Sequence, residues 1–262
     1  MTEFTPNGLV SLLTDFGWQD DYVGQMHAAL LAVNPGLRII DLCHAVLPGD
    51  IDSAAFLLKH DARHLPAGTV HVAVVDPGVG SERAILAARL SGCVYLAPDN
   101  GLLDPLLRKA ETCEVRLLNN RELFAPEISN SFHGRDIFCP TAAKVAGGTP
   151  FEELGPVVYT WKSGDSLEPI REEEQLKGKV YWVDRFGNLI TNLPAGEVEG
   201  LTIRIGRRRI SPARFIAEGN SSDPVWIVGS KGTVEIIVNG GSAAKMLGIG
   251  VGHEVNACSE EG

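Results

Sequence analysis

No apolar run in this chain is long enough to span a bilayer, which argues against a helical membrane protein. The N-terminal stretch MTEFTPNGLV has neither a basic region nor a long apolar segment, so no secretory leader is expected. Cysteine is sparse: the five residues are scattered, odd in number and without a CxxC pair. That pattern fits buried thiols in a reducing cytoplasm better than a disulfide framework or a zinc site. Positive charge is also short. The formal net charge is −10 and the longest basic run is Arg207-Arg208-Arg209, which argues against nucleic acid as the main partner. Familiar catalytic signatures are missing as well. There is no GxxxxGK[ST], no GxGxxG after a strand, no GxSxG and no HExxH, so P-loop, ordinary dinucleotide, α/β-hydrolase and zincin chemistry lose support. No internal repeat at a fixed period is present.

What is present is an organising stretch, TVHVAVVDPGVGSER, from Thr69 to Arg83. Val70, Val72 and Val74 alternate with His71, Ala73 and Val75, and both sets suit burial, as in a central strand covered on both faces. The strand breaks at Asp76-Pro77-Gly78-Val79-Gly80, because Pro cannot extend the ladder and glycine admits positive φ. In open α/β sheets ligands bind beyond the carboxyl ends of strands. Asp76 sits at such an end, with Arg83 on the far side of the turn. A tight turn with an incidental ion pair is the plainer reading of this stretch alone.

Other polar residues fall at comparable transitions. Asp15 follows the strand predicted at 8–13, where it either caps the turn before the next helix or accepts hydrogen bonds from both hydroxyls of a ribose. Asp99-Asn100-Gly101 reads as a turn. His133, in Ser131-Phe132-His133-Gly134-Arg135-Asp136, is a candidate general base or a structural histidine. Strands alternating with helices predict a layered α/β domain with a largely parallel sheet over residues 1–162. Residues 163–177 are polar and strongly charged, as a linker would be. Short strands and turns then predict a smaller β-barrel or sandwich domain over 178–262. There Asp184-Arg185-Phe186-Gly187-Asn188 reads as a hairpin turn, yet its acid, aromatic and amide could also hold an amino-acid head group and stack on a purine. Ser230 lies on another turn. The glycines of Asn239-Gly240-Gly241 either expose backbone groups to an adenine edge or start a helix.

Taken together, TDFGWQDDYVGQM (14–26), VVDPGVGSER (74–83), APDNGLL (97–103), SFHGRDIF (131–138), DRFGNLITN (184–192) and VGSKG with NGGSAA (228–244) resemble the S-adenosyl-L-methionine (SAM) hydroxide adenosyltransferases, relatives of the fluorinating and chlorinating SAM enzymes. The resemblance implies hydrolysis of SAM to adenosine and L-methionine. It also implies a homotrimer with sites at subunit interfaces, and neither a metal nor a cofactor beyond SAM as substrate. By position it puts the catalytic set on Asp76, Arg83 and His133, the ribose contact on Asp15, and the methionine-end and purine contacts on Asp184, Phe186, Asn188, Ser230 and Gly240. Halide transfer to the same carbon, or a SAM- or adenosine-binding module without turnover, are the alternatives. Against halide transfer, Asp76 is present and Val79 stands where a halide-contacting hydroxyl would be wanted. Lys231 departs from the residues usual in related enzymes.

Overall fold

Six strands make the first sheet, and their burial explains their order. The structure, a computed structural model, describes residues 3–173 and 175–259. In chain order the first part contains β1 (Leu9–Thr14), α1 (Tyr22–Val33), β2 (Arg38–Cys43), α2 (Ile51–Asp61), β3 (Val70–Val74), β4 (Ile85–Leu90), β5 (Cys93–Pro98), α3 (Asp104–Leu107), β6 (Cys113–Leu117) and α4 (Cys139–Ala146). The sheet order is β2-β1-β3-β5-β4-β6. Pairings among β2, β1, β3 and β5 are parallel, while β4 runs antiparallel to both β5 and β6. The sheet is therefore largely parallel, as its sequence pattern predicts. Every residue of β1, β3 and β5 is buried, as a strand covered on both faces requires.

Alternation sorts the side chains of these strands. Val10 and Leu12 of β1 and Val70, Val72 and Val74 of β3 share one cluster with Met26 and Leu30 of α1 and with Cys139, Ala142, Ala143 and Val145 of α4. α2 packs against β1 outside that cluster. Asp50 caps it through Ser53 N–H, and residues 53–58 are all buried. Because β1, β3 and β5 are parallel and paired Thr14 to Val74 and Val72 to Leu96, their carboxyl ends, with Asp15, Asp76 and Asp99, lie along one edge. The Asn100 side chain fastens that edge, donating from Nδ2 to the Val75 carbonyl at 2.8 Å.

The chain divides into two compact units between Asp165 and Ser166. The second contains β7 (Ile170–Arg171), β8 (Gln175–Val183), β9 (Leu189–Pro194), β10 (Thr202–Ile205), β11 (Arg208–Pro212), β12 (Val225–Val228), β13 (Thr233–Ile237), α5 (Ala243–Leu247) and β14 (Glu254–Cys258). Strands β8-β9-β13-β12-β11-β10-β14 form a ring that the β14–β8 pairing closes, a seven-strand barrel with β7 added beside β8. Closure leaves no free edge in the ring. Leu176, Val180, Leu189, Leu193, Ile203, Val234, Ile236 and Val255 fill the interior.

Part of the charged stretch expected as a linker is tied to this unit. Leu167 is buried and its carbonyl accepts from Asn192 Nδ2 at 3.0 Å. The Ser166 carbonyl accepts from Tyr181 Oη at 3.0 Å, and β7 pairs with Leu176 and Lys177. Residues 1, 2, 174 and 260–262 of the expected domains and linker lie outside the described residues.

Candidate functional site

At the carboxyl end of β3 the chain turns through Asp76-Pro77-Gly78-Val79-Gly80, and Arg83 returns to Asp76. Arg83 Nε donates to Asp76 Oδ2 at 2.7 Å, and Arg83 Nη2 contacts the same oxygen. The two side chains are only 5% and 3% exposed. Two charges so far from water persist only when paired and hydrogen-bonded. The second oxygen, Asp76 Oδ1, accepts the Gly78 N–H at 3.2 Å. Arg83 Nη2 also donates to His133 Nδ1 at 2.8 Å. Asp76, Arg83 and His133, fifty-seven residues apart at their extremes (133 − 76), thus form one chain of contacts.

Gly80 explains how the distant His133 arrives. Its φ is +79°, and a Cβ there would lie 2.2 Å from the Asn130 carbonyl oxygen. The turn after β3 therefore presses directly on the segment that leads into His133. His133 precedes one wide helical turn, Gly134–Phe138, that runs into α4. Arg135 and Asp136 serve the scaffold. Arg135 Nε donates to Asp136 Oδ1 at 2.6 Å, and Asp136 Oδ2 accepts the Ser129 N–H at 2.8 Å, pinning the connection. Burial lowers the His133 pKa below its ordinary 6.5 and the Arg83 charge lowers it further, against the opposing pull of Asp76 and Asp136.

Asp15 lies one residue past β1, on the same edge. Its Oδ2 accepts the Gly49 N–H at 2.8 Å. Gly49 in turn faces Pro77 of the Asp76 turn, at 4.0 Å from where its Cβ would be. Asp99 Oδ1 accepts the Lys162 N–H at 2.8 Å and Asn100 Oδ1 the Leu102 N–H at 3.2 Å, the turn expected there.

In the second unit the expected residues gather around the β8–β9 hairpin. Asp184 Oδ1 accepts the N–H groups of Phe186 and Asn188, each at 2.9 Å, and its Oδ2 accepts Asn188 Nδ2 at 2.9 Å. Gly187 has φ +83°, and a Cβ there would strike Ser242 Oγ at 1.9 Å. The NGGSAA segment carrying Gly240 thus packs on this hairpin, with Ala244 N–H donating to the Gly187 carbonyl at 2.9 Å. Phe186 is 68% exposed, an aromatic face presented to solvent.

Glu235 of β13 belongs to the same group, and the sequence pattern does not single it out. Burial raises its pKa, with Asp184 adding in the same direction while a hydrogen bond from Asn188 and the charge of Lys231 oppose. It also abuts Gly229, next to Ser230, where a Cβ would lie 2.6 Å from Glu235 Oε2. The signal for it in the sequence is a lone acid in the apolar strand TVEII.

Residues 10–155 match the model of the SAM hydroxide adenosyltransferase N-terminal domain, and residues 178–256 that of its C-terminal domain. A Thermus thermophilus protein named (R)-S-adenosyl-L-methionine hydrolase is 40% identical over 256 residues, covering 94% of this chain and 98% of that protein. A fluorinase from an Actinoplanes species is 24% identical over 276 residues, covering 89% and 91% of the two chains. Among solved structures, an uncharacterized conserved protein from Thermotoga maritima superposes with a TM-score of 0.89 at 32% identity, covering 95% of this chain and 99% of that one.

Proposed function

This chain belongs to the SAM hydroxide adenosyltransferase family, and from that premise we propose that it hydrolyses SAM to adenosine and L-methionine. The observation that carries the reading is the buried Asp76–Arg83–His133 chain at the strand edge that also bears Asp15. In the reaction, a water oxygen bonds to the ribose 5′ carbon as the C–S bond breaks. The bonding pair goes to sulfur and neutralises the sulfonium, and the one proton that the water gives up passes to solvent. Sulfur departs as a neutral thioether, so no acid is needed to help it. What the reaction needs is an oriented, partly deprotonated water in a dry site.

Asp76 holds Arg83 in place, and Arg83 with His133 holds the attacking oxygen. Arg83 has donors only, so its bond to His133 Nδ1 leaves the neutral ring's proton on Nε2. We read His133 as a donor that stabilises the hydroxide rather than as a general base. Asp15 takes the ribose hydroxyls. Asp184, Asn188 and Ser230 take the methionine end, and Phe186 with the Gly240 segment takes the purine. We read the assembly as a homotrimer with sites at subunit interfaces, on the family resemblance; a monomer fully active on dilution would exclude it. A cytoplasmic location rests on the five free cysteines, two of them buried, and cell fractionation tests it.

The deciding experiment is chromatography of products after incubation with SAM in chloride and in fluoride buffers. Adenosine and methionine in equal amounts are expected in both. A halogenated nucleoside would replace this reading with halide transfer, and tight SAM binding without products would replace it with a binding module.

A further inference from the structure

Beneath the end of β1 lies a second polar network with no part in the proposed attack on SAM. His44, just past β2, is 1% exposed. Its Nε2 lies 2.9 Å from Asp41 Oδ1 and its Nδ1 lies 2.7 Å from Thr14 Oγ1. His27, on α1, brings its own Nε2 to the same Asp41 oxygen at 2.9 Å. Although burial opposes it, the bonds from His44 and His27 hold the Asp41 carboxyl below its ordinary range. An ionised carboxylate only accepts, so His44 Nε2 carries a proton. Burial lowers the His44 pKa and keeps the ring neutral, leaving Nδ1 to accept the Thr14 hydroxyl. Thr14 Oγ1 accepts the Phe16 N–H at 3.2 Å in turn.

The order Asp41–His44–Thr14 has the spacing of a nucleophile relay, but the hydroxyl is in no position to attack anything. Thr14 is wholly buried, and its oxygen is engaged by His44 and by the Phe16 N–H. The network acts on the turn instead. The His44 carbonyl accepts the Gly17 N–H at 2.7 Å, so one residue clasps both ends of Thr14-Asp15-Phe16-Gly17. The loop that His44 begins also supplies the Gly49 N–H to Asp15 Oδ2 at 2.8 Å. The ring of Trp18 stands edge-on to the imidazole at 4.8 Å, closing the network from the solvent side.

We propose that His44, held by Asp41, is the positioning residue that aims the Asp15 carboxylate at a vicinal diol, and so sets the preference for a ribose over a 2′-deoxyribose ligand. The proposal rests on Asp15 as the ribose contact. Its test is the ratio of adenosine to 2′-deoxyadenosine affinity, measured by calorimetry on the full chain, with thermal unfolding as a check on folding. The wild type should prefer adenosine by about tenfold or more, the scale of one charge-assisted hydrogen bond. Asp15→Asn should remove most of that preference. His44→Asn places an acceptor where Nδ1 was and should keep it. His44→Gln loses that acceptor, and Thr14→Val loses the hydroxyl; each should cut the ratio by several-fold, and the pair together no further than either alone.

If the wild type shows no preference, or Asp15→Asn keeps it, the ribose reading fails and this proposal with it. If Asp15→Asn abolishes the preference while His44→Gln and Thr14→Val keep the wild-type ratio, His44 is overturned alone. Lower affinity for both nucleosides or a lower melting temperature, with an unchanged ratio, likewise overturns the role of His44 and leaves Asp15 standing.

Discussion

A guanidinium donates through every nitrogen, so the 2.8 Å contact from Arg83 Nη2 to His133 Nδ1 assigns the histidine's proton before any substrate arrives. A base at this position would need its free lone pair on Nε2, and the contact puts that lone pair on Nδ1. Three variants separate donor from base. His133→Ala should lower turnover by about 10²–10³-fold, the usual loss on removing one preorganised donor, with little change in SAM affinity. His133→Gln keeps a donor near the Nε2 position and should recover about tenfold of that loss, a typical share for one oriented hydrogen bond. His133→Asn should remain as impaired as His133→Ala. If all three are equally impaired, the imidazole is a base and the donor role is wrong. The same contact fixes the sign of a pH effect. Burial and Arg83 depress the His133 pKa, so the ring stays neutral through pH 6.5 and protonates only below it. Protonation adds a hydrogen at Nδ1, facing the Arg83 donor, and the cluster opens. Turnover should therefore hold at neutrality and fall on the acid side with a midpoint below 6.5. That limb should be missing from the pH profile of His133→Gln.

At the scale of elements, the site depends on two turns that touch. Gly80 is where they meet: positive φ and a 2.2 Å approach to the Asn130 carbonyl leave no room for a side chain. Gly80→Ala should cost about 1–3 kcal/mol of stability for the strained backbone. It should also push the 130–133 segment away from Arg83, lowering turnover more than SAM affinity. Equal losses of both, in proportion to stability, would show that the turn matters only for folding. Much of this layout is legible in the sequence. The alternation in 70–75, the break at Asp76-Pro77 and the parallel strand pattern place Asp15 and Asp76 on one edge by topology alone. The grouping of His133 with Arg83 is legible only through the family resemblance, because the contact itself depends on the wide turn at 134–138 and on backbone packing at Gly80, which no periodicity encodes. His44 escapes for a related reason. Its work is to hold a turn, and the residues it holds are not its neighbours in sequence. Glu235 sits in a strand whose pattern marks only its apolar face. The charged stretch 163–177 reads as a linker because sparse apolar residues hide single anchors such as Leu167.

For the whole molecule, the central strand that organises the sheet also sets a limit on acid stability. His71 of β3 is 0% exposed, its ring stacks on Tyr95 at 4.5 Å, and its Nδ1 lies 2.7 Å from Ser11 Oγ. Burial pushes its pKa down to about 3, against 6.5 for an ordinary histidine. Between those values the unfolded chain binds a proton at His71 that the folded chain refuses. The depressed pKa thus leaves stability intact above 6.5 and removes it as pH falls from 6.5 toward 3, at about 1.4 kcal/mol per pH unit for one proton. His44, also depressed by burial, adds to the slope in the same direction. Urea midpoints of the wild type should therefore drop steadily from pH 6.5 to pH 5. His71→Asn cannot titrate, and its amide oxygen can still meet the Ser11 hydroxyl. The variant should be less stable at pH 7, because it leaves a void beside Tyr95, yet its midpoint should fall less steeply on acidification. The comparison is of slopes, so the cost of the void cancels. If the two slopes agree, His71 takes up its proton without unfolding the sheet, and the acid limit of this fold lies elsewhere.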